Sequence, residues 1–143
     1  MSSTDLQQVK KHLLDAGLEV YRTREAEIQV AERVRLHIMD SGIRVRMAEG
    51  LRVVFTARSQ RSDYPRVGAD ALFARVREYV GLQALARGYA EEGAQTVDVK
   101  DPMDDAKVLD TWHEITYAKP ADDLSTVVDE VRWALEIDKY VAP

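Results

Sequence analysis

The chain has 143 residues, 45% apolar and 31% charged, with no cysteine and a net charge of −5. That length fits a single domain with a sizeable core, and the missing thiols exclude disulfides, thiolate zinc sites and a cysteine nucleophile. No apolar run reaches the roughly 18 residues that a bilayer-spanning helix needs, and the opening segment lacks the uncharged stretch of a secretory signal, so a cytoplasmic protein is expected.

The first element in chain order is a helix over Thr4–Ala16. Thr4 is a candidate N-cap, with Gln7 completing a capping box. Leu6, Val9, Leu13 and Ala16 fall on one stripe, and Gly17 supplies the stop. Residues 18–59 then read as antiparallel strands. Alternation runs through Val34, Leu36 and Ile38, through Ile43, Val45 and Met47, and through Leu51, Val53 and Phe55. Asp40-Ser41-Gly42 and Ala48-Glu49-Gly50 separate these runs as hairpin loops. Leu18–Tyr21 and Ile28–Val30 suggest one more strand, and Glu27–Met39 reads equally as one bulged strand or as two.

Arg61–Gly68 is a loop. Residues 69–91 are helical, with a stripe of Leu72, Phe73, Val76, Val80, Leu85 and Tyr89, and Gly81 inside it predicts a kink or break. Ala94–Val99 and Val108–Lys119 form a second strand pair across an acidic loop, Lys100–Lys107. Pro120 breaks the chain, Asp122 or Asp123 caps, and residues 124–140 form the last helix. Strands that follow strands, instead of alternating with helices, predict an α+β fold: an antiparallel sheet of five to six strands with three helices, in one domain spanning residues 1–143.

Little in this sequence points to catalysis. There is no phosphate loop, no GxGxxG and no GxSxG. His12, His37 and His113 sit on three different predicted elements without ligand spacing, so no metal and no cofactor is expected. The loop with Asp98, Asp101, Asp104 and Asp105 lacks the central Gly and closing Glu of a calcium-binding hand. Asp110 and Glu114 flank Trp112 and are the remaining acid–base candidates.

Two surface features stand out. With Val34, Leu36 and Ile38 inward, alternation turns Arg33, Arg35 and His37 outward, together with Arg44, Arg46, Arg52 and Arg58. Like charges across strands repel, so this face requires anions. They are the chain's own (Glu19, Glu27, Glu32 or the acidic second half), an acidic segment of a partner protein, or nucleic acid. The charge is indeed uneven: residues 1–87 carry a net +4, residues 88–143 a net −9, and thirteen of the fourteen arginines precede residue 88. The second feature is the last helix. Leu124, Val127, Val128, Val131 and Leu135 make one stripe and Trp133, Ile137 and Tyr140 another. The second stripe either meets another copy of the chain or wedges against the second helix near Leu85 and Tyr89.

The order of elements, from Thr4–Ala16 through the strands within Leu18–Ser59, Ala69–Glu91, Ala94–Val99 with Val108–Lys119, to Leu124–Tyr140, resembles the type III secretion chaperone-like fold, shared by the YbjN-like bacterial proteins. The resemblance implies a non-enzymatic homodimer that binds an extended segment of another protein. The expectation is therefore a chaperone- or adaptor-like protein-binding module with Arg33, Arg35, Arg44, Arg46 and Arg52 at the partner surface and Trp133, Ile137 and Tyr140 at the oligomer interface. The alternative is a small-molecule or anion-binding domain, or an enzyme assembled from scattered residues such as Arg35, Arg44, His37 and Glu114.

Overall fold

The computed structural model describes residues 5–143. The fold is α+β: a six-stranded antiparallel sheet in the order β1-β2-β3-β4-β6-β5, with three helices. The strands are β1 (Glu19–Arg24), β2 (Glu27–Val34), β3 (His37–Arg46), β4 (Arg52–Gln60), β5 (Ala90–Asp101) and β6 (Asp104–Pro120). Two compact units make up the chain: residues 5–55 with Ala118–Ile137, and Thr56–Tyr117 with Asp138–Pro143.

In the first unit, the first helix runs Leu6–Asp15. The expected cap Thr4 lies outside the described residues. Asp5 accepts from Gln8 N, and the Gln8 side chain accepts from Asp5 N, a reciprocal box that satisfies two otherwise orphaned donors. β1 and β2 pair across a two-residue turn at Glu25-Ala26, with Glu25 at φ +44°. β2 and β3 are two strands, paired down to Val34 opposite His37, so Arg35 and Leu36 form the turn.

That turn corrects the inward run expected of Val34, Leu36 and Ile38. Leu36 is 95% exposed, and Val34 and Ile38 are about half exposed. Arg35 takes φ +58°, a conformation costing a non-glycine residue roughly 1–2 kcal/mol. No Gly, Asn, Asp or Pro marks the position. The sequence Asp40-Ser41-Gly42, expected as a hairpin loop, lies inside β3 instead. Val30 faces Ile43 while Ala31 faces Asp40, which leaves Ser41 and Gly42 unopposed in a bulge. Ser41 Oγ donates to Val30 O (2.6 Å) and accepts from Ile43 N, and Gly42 takes φ +78°. Ala48-Glu49-Gly50 does lie in the β3–β4 connection, with Gly50 at φ +90°.

Ile28, Val30, Ile43, Val45, Val53 and Phe55 are fully buried, with Val9 and Leu13 of the first helix and Val127, Val131 and Ala134 of the last. The first and last helices pack on each other, the first on β2 and the last on β3. The last helix runs Leu124–Glu136, capped by Asp123, which accepts from Thr126 N at 2.8 Å. It does not extend to residue 140: Ile137 is already extended, with ψ 151°. Within this unit Lys119 and the buried Glu130 form an ion pair at 3.0 Å.

In the second unit, the second helix is α-helical over Ala69–Val76, passes through a π turn at Arg77–Gly81, and regains α geometry over Leu82–Ala86. It ends there, short of the expected residue 91, with Gly88 at φ +97°. The wider π turn keeps Val76, Val80 and Ala84, four residues apart, on the buried side, and Leu85 points to solvent. Gly81 is buried, and a Cβ added there would lie 2.7 Å from Tyr117 Oη. The helix therefore passes the tyrosine only because it has no side chain at that point. The expected acidic loop Lys100–Lys107 is mostly strand, since β5 and β6 meet at a two-residue turn, Pro102-Met103.

Candidate functional site

Alternation along β2 and β3 places Arg33, Arg44 and Arg46 on one face, opposite the buried Ile28, Val30, Ile43 and Val45. Their anions are the chain's own. Arg33 Nε bonds to Glu19. Glu27, across the ladder from Arg46, lies 3.7 Å from Arg46 Nε and 3.9 Å from Arg44 Nε. Arg52 stands directly across from Arg46 on β4. Ion pairs of this kind contribute little stability, and two carboxylates among three guanidiniums lower the electrostatic demand for an outside anion at Arg33, Arg44 and Arg46 without removing it. Arg35 leaves this set for the β2–β3 turn, where it is exposed beside His37.

The hairpin tip that carries Arg35 is apolar as well as basic. Val34, Leu36, Ile38 and Met39 all project large side chains into water. On β3 the residues whose alternate side chains reach the core, Ser41, Ile43 and Val45, end at the bulge, and the tip beyond it is exposed. An open cleft of about 550 Å³ lies at the opposite end of the hairpin, lined by Arg24, Glu25, Ala26, Glu27, Arg46 and Ala48.

The second unit holds a polar network centred on Asp110. Asp110 accepts from Ser62 N (3.0 Å), Ser62 Oγ (2.7 Å), Thr111 N and Trp112 Nε1. Burial pushes its carboxyl up, but these donors outweigh burial and hold it below the ordinary carboxylate range. Asp110 is thus committed to the turn at Arg61–Asp63, while Glu114 accepts from Gln95 on β5. Asp110 and Glu114, the two acid–base candidates around Trp112, thus bond to different partners. Arg58 lies over the Trp112 ring at 3.9 Å and over the Tyr140 ring at 5.5 Å, and Tyr140 donates to Asp63.

In the same unit, Arg77 binds Glu91 with two hydrogen bonds, 2.8 and 3.0 Å, which holds the Glu91 carboxyl below its usual range. Burial, with the Glu91 charge added, pushes the Tyr117 hydroxyl up to about 12, and Arg77 offsets part of this. His113 is buried edge-on to Phe73, with Nδ1 3.1 Å from Thr96 Oγ1. His12 and His37 are exposed on other elements. Among the described residues no group of three His, Asp or Glu side chains could hold a metal ion.

The residues expected at an oligomer interface do not form one helical stripe. Trp133 is half-buried, edge-on to Phe55 at 5.9 Å. Ile137 follows the helix end, and Tyr140 belongs to the Arg58 network. Alternation turns Arg58 outward but carries no sign of its partners Trp112 and Tyr140, because it does not tell which strands will be neighbours. Compared with known proteins, the chain matches no family model, no curated protein and no solved structure. No helix among the described residues is long and apolar enough to cross a membrane.

Proposed function

We propose that this chain is a non-enzymatic, adaptor- or chaperone-like protein-binding module. The observation that carries the reading is the β2–β3 hairpin tip, where Leu36 is 95% exposed among Val34, Ile38 and Met39 and flanked by the exposed Arg35 and His37. Soluble domains usually cover apolar surface of this kind. Basic residues beside it favour an extended partner segment that mixes acidic and apolar side chains. The element order that resembles the type III secretion chaperone-like fold supports the same class of function.

A homodimer is part of the proposal. Its support is charge complementarity: the β5–β6 hairpin of a second copy offers Asp101, Asp104 and Asp105 around the exposed Met103, Val108 and Leu109. A cytoplasmic location remains part of it and rests on sequence alone.

Fluorescence anisotropy with short synthetic peptides tests the reading. Peptides alternating Asp or Glu with Leu or Phe should bind the wild type, and the same peptides with Lys in place of the acids should not. Leu36→Asp with Arg35→Glu should abolish binding without unfolding the chain, since both side chains are exposed. Equal binding of acidic and basic peptides, or full binding by the double variant, would sink it.

A further inference from the structure

β4 carries a second potential docking edge, already occupied by the chain itself. β3 pairs with β4 only along Arg52–Phe55. Farther along β4, the segment after the last helix takes that role. Arg58 N donates to Lys139 O (2.8 Å) and Val141 N donates to Arg58 O (2.9 Å), an isolated parallel bridge against a sheet that is otherwise antiparallel. Two side chains fix the register. Tyr140 lies under the Arg58 guanidinium and donates to Asp63. Val141 is 6% exposed, and its carbonyl accepts from Tyr64 Oη at 3.5 Å. Arg58 itself is held flat on Trp112, and Arg75 lies over Tyr64 at 4.6 Å, so the receiving residues are braced by contacts of their own.

We infer that the edge of β4 at Arg58 is a strand-addition site for an extended aromatic–aliphatic segment of another protein, with Tyr140-Val141 as its resident occupant. Three features support this. Recognition runs through backbone hydrogen bonds, which any extended chain can supply, and through one aromatic and one aliphatic position, which give selectivity. The occupant is held by two backbone bonds, by the Tyr140 hydroxyl on Asp63, by Tyr64 on the Val141 carbonyl and by burial of Val141, so its release opens one short segment and leaves the strands paired, a local rather than a global unfolding. The occupant also shows what the site accepts: a tyrosine that reaches a carboxylate and a cation, followed by an aliphatic side chain. This site shares no residue with the hairpin tip, so either assignment can fail without the other.

The test uses the full chain and a fluorescein-labelled peptide of residues 138–143. Val141→Asp weakens the resident segment and leaves the receiving residues untouched. Its apparent affinity for the peptide should rise about tenfold or more over wild type, because the competent state no longer has to be opened. Adding Asp63→Ala should reverse the gain, and a peptide with Ala in place of both Tyr and Val should not bind. If Val141→Asp loses its circular dichroism, Tyr140→Ala replaces it, since it removes only aromatic and hydroxyl contacts. A folded variant that gains no affinity, or binds the doubly substituted peptide equally well, overturns the inference. So does a wild-type dimer in light scattering that Val141→Asp dissociates without gaining peptide affinity, since the edge would then hold a second copy's segment.

Discussion

Gly81→Ala should destabilise this protein, against the usual gain from placing alanine in a helix. Alanine is favoured over glycine in a helix interior by about 1 kcal/mol. Here the new Cβ would stand 2.7 Å from Tyr117 Oη, well inside contact distance. Tyr117 is 1% exposed and cannot swing aside into solvent. Overpacking of this kind costs roughly 1–3 kcal/mol, so the net loss reaches about 2 kcal/mol, a fall in Tm of up to about 8 °C for a chain of this size. The decisive measurement is the sign in a second background. In Tyr117→Phe the hydroxyl is gone and the next ring atom, Cζ, lies 3.6 Å from the Cβ position, an ordinary contact. There Gly81→Ala should become stabilising by about 0.5–1 kcal/mol. Thermal unfolding followed at 222 nm, with urea titrations for the free energies, gives the four corners of the cycle. If Gly81→Ala raises Tm in the wild type, or if its effect has the same sign in both backgrounds, the steric account of the π turn is wrong.

Tyr117 also has a pH signature. Its folded pKa, pushed up to about 12, lies above the ordinary value of 10, so its contribution is fully present below pH 10 and is lost as pH rises towards 12; Tyr117→Phe should flatten that part of the stability curve. Glu130→Ala should cost about 2–3 kcal/mol in urea unfolding, because it removes the carboxylate 3.0 Å from the partly buried Lys119. Lys11→Ala, which breaks an exposed pair with Asp15, should cost no more than about 0.5 kcal/mol. Phe55→Ala should cost about 3–5 kcal/mol, since the ring is fully buried and carries the edge of Trp133. Leu36→Asp should leave Tm almost unchanged while removing peptide binding, and a large drop in Tm would show that Leu36 is buried in solution.

The elements that could be read in advance are those whose signal is local. Alternation at Ile43 and Val45 and at Val53 and Phe55 marks half-buried strands because side chains on a strand change face at every residue. A cap at Asp122 or Asp123 is legible because such a carboxylate needs only a backbone N–H three residues on, and the structure assigns it to Asp123. The stop at Gly17 follows from the positive φ that glycine adopts freely. The α+β class and the order of helices and strands follow from such local cues taken in sequence.

Other features depend on which distant segment arrives alongside. The turn at Arg35-Leu36 contains no turn-forming residue; it is imposed by the pairing of Val34 with His37. Asp40-Ser41-Gly42 has the composition of a loop, and becomes a bulge only because Val30 O is present to receive Ser41 Oγ. Within β5 and β6 the segments Ala94–Val99 and Val108–Lys119 are legible as strands, but their extensions over residues 90–93 and 104–107 are exposed on both faces, so no apolar alternation announces those. The last helix stops at Glu136, four residues short of the expected end, because the segment beyond it finds Arg58 as a partner, and two backbone bonds with a buried Val141 compete with one more helical turn. The cluster of Arg58, Trp112 and Tyr140 draws on residues 28 to 82 positions apart. Nothing in the spacing of those three residues brings them together; strand order does, and strand order is settled by burial of the whole sheet rather than by any one segment of it.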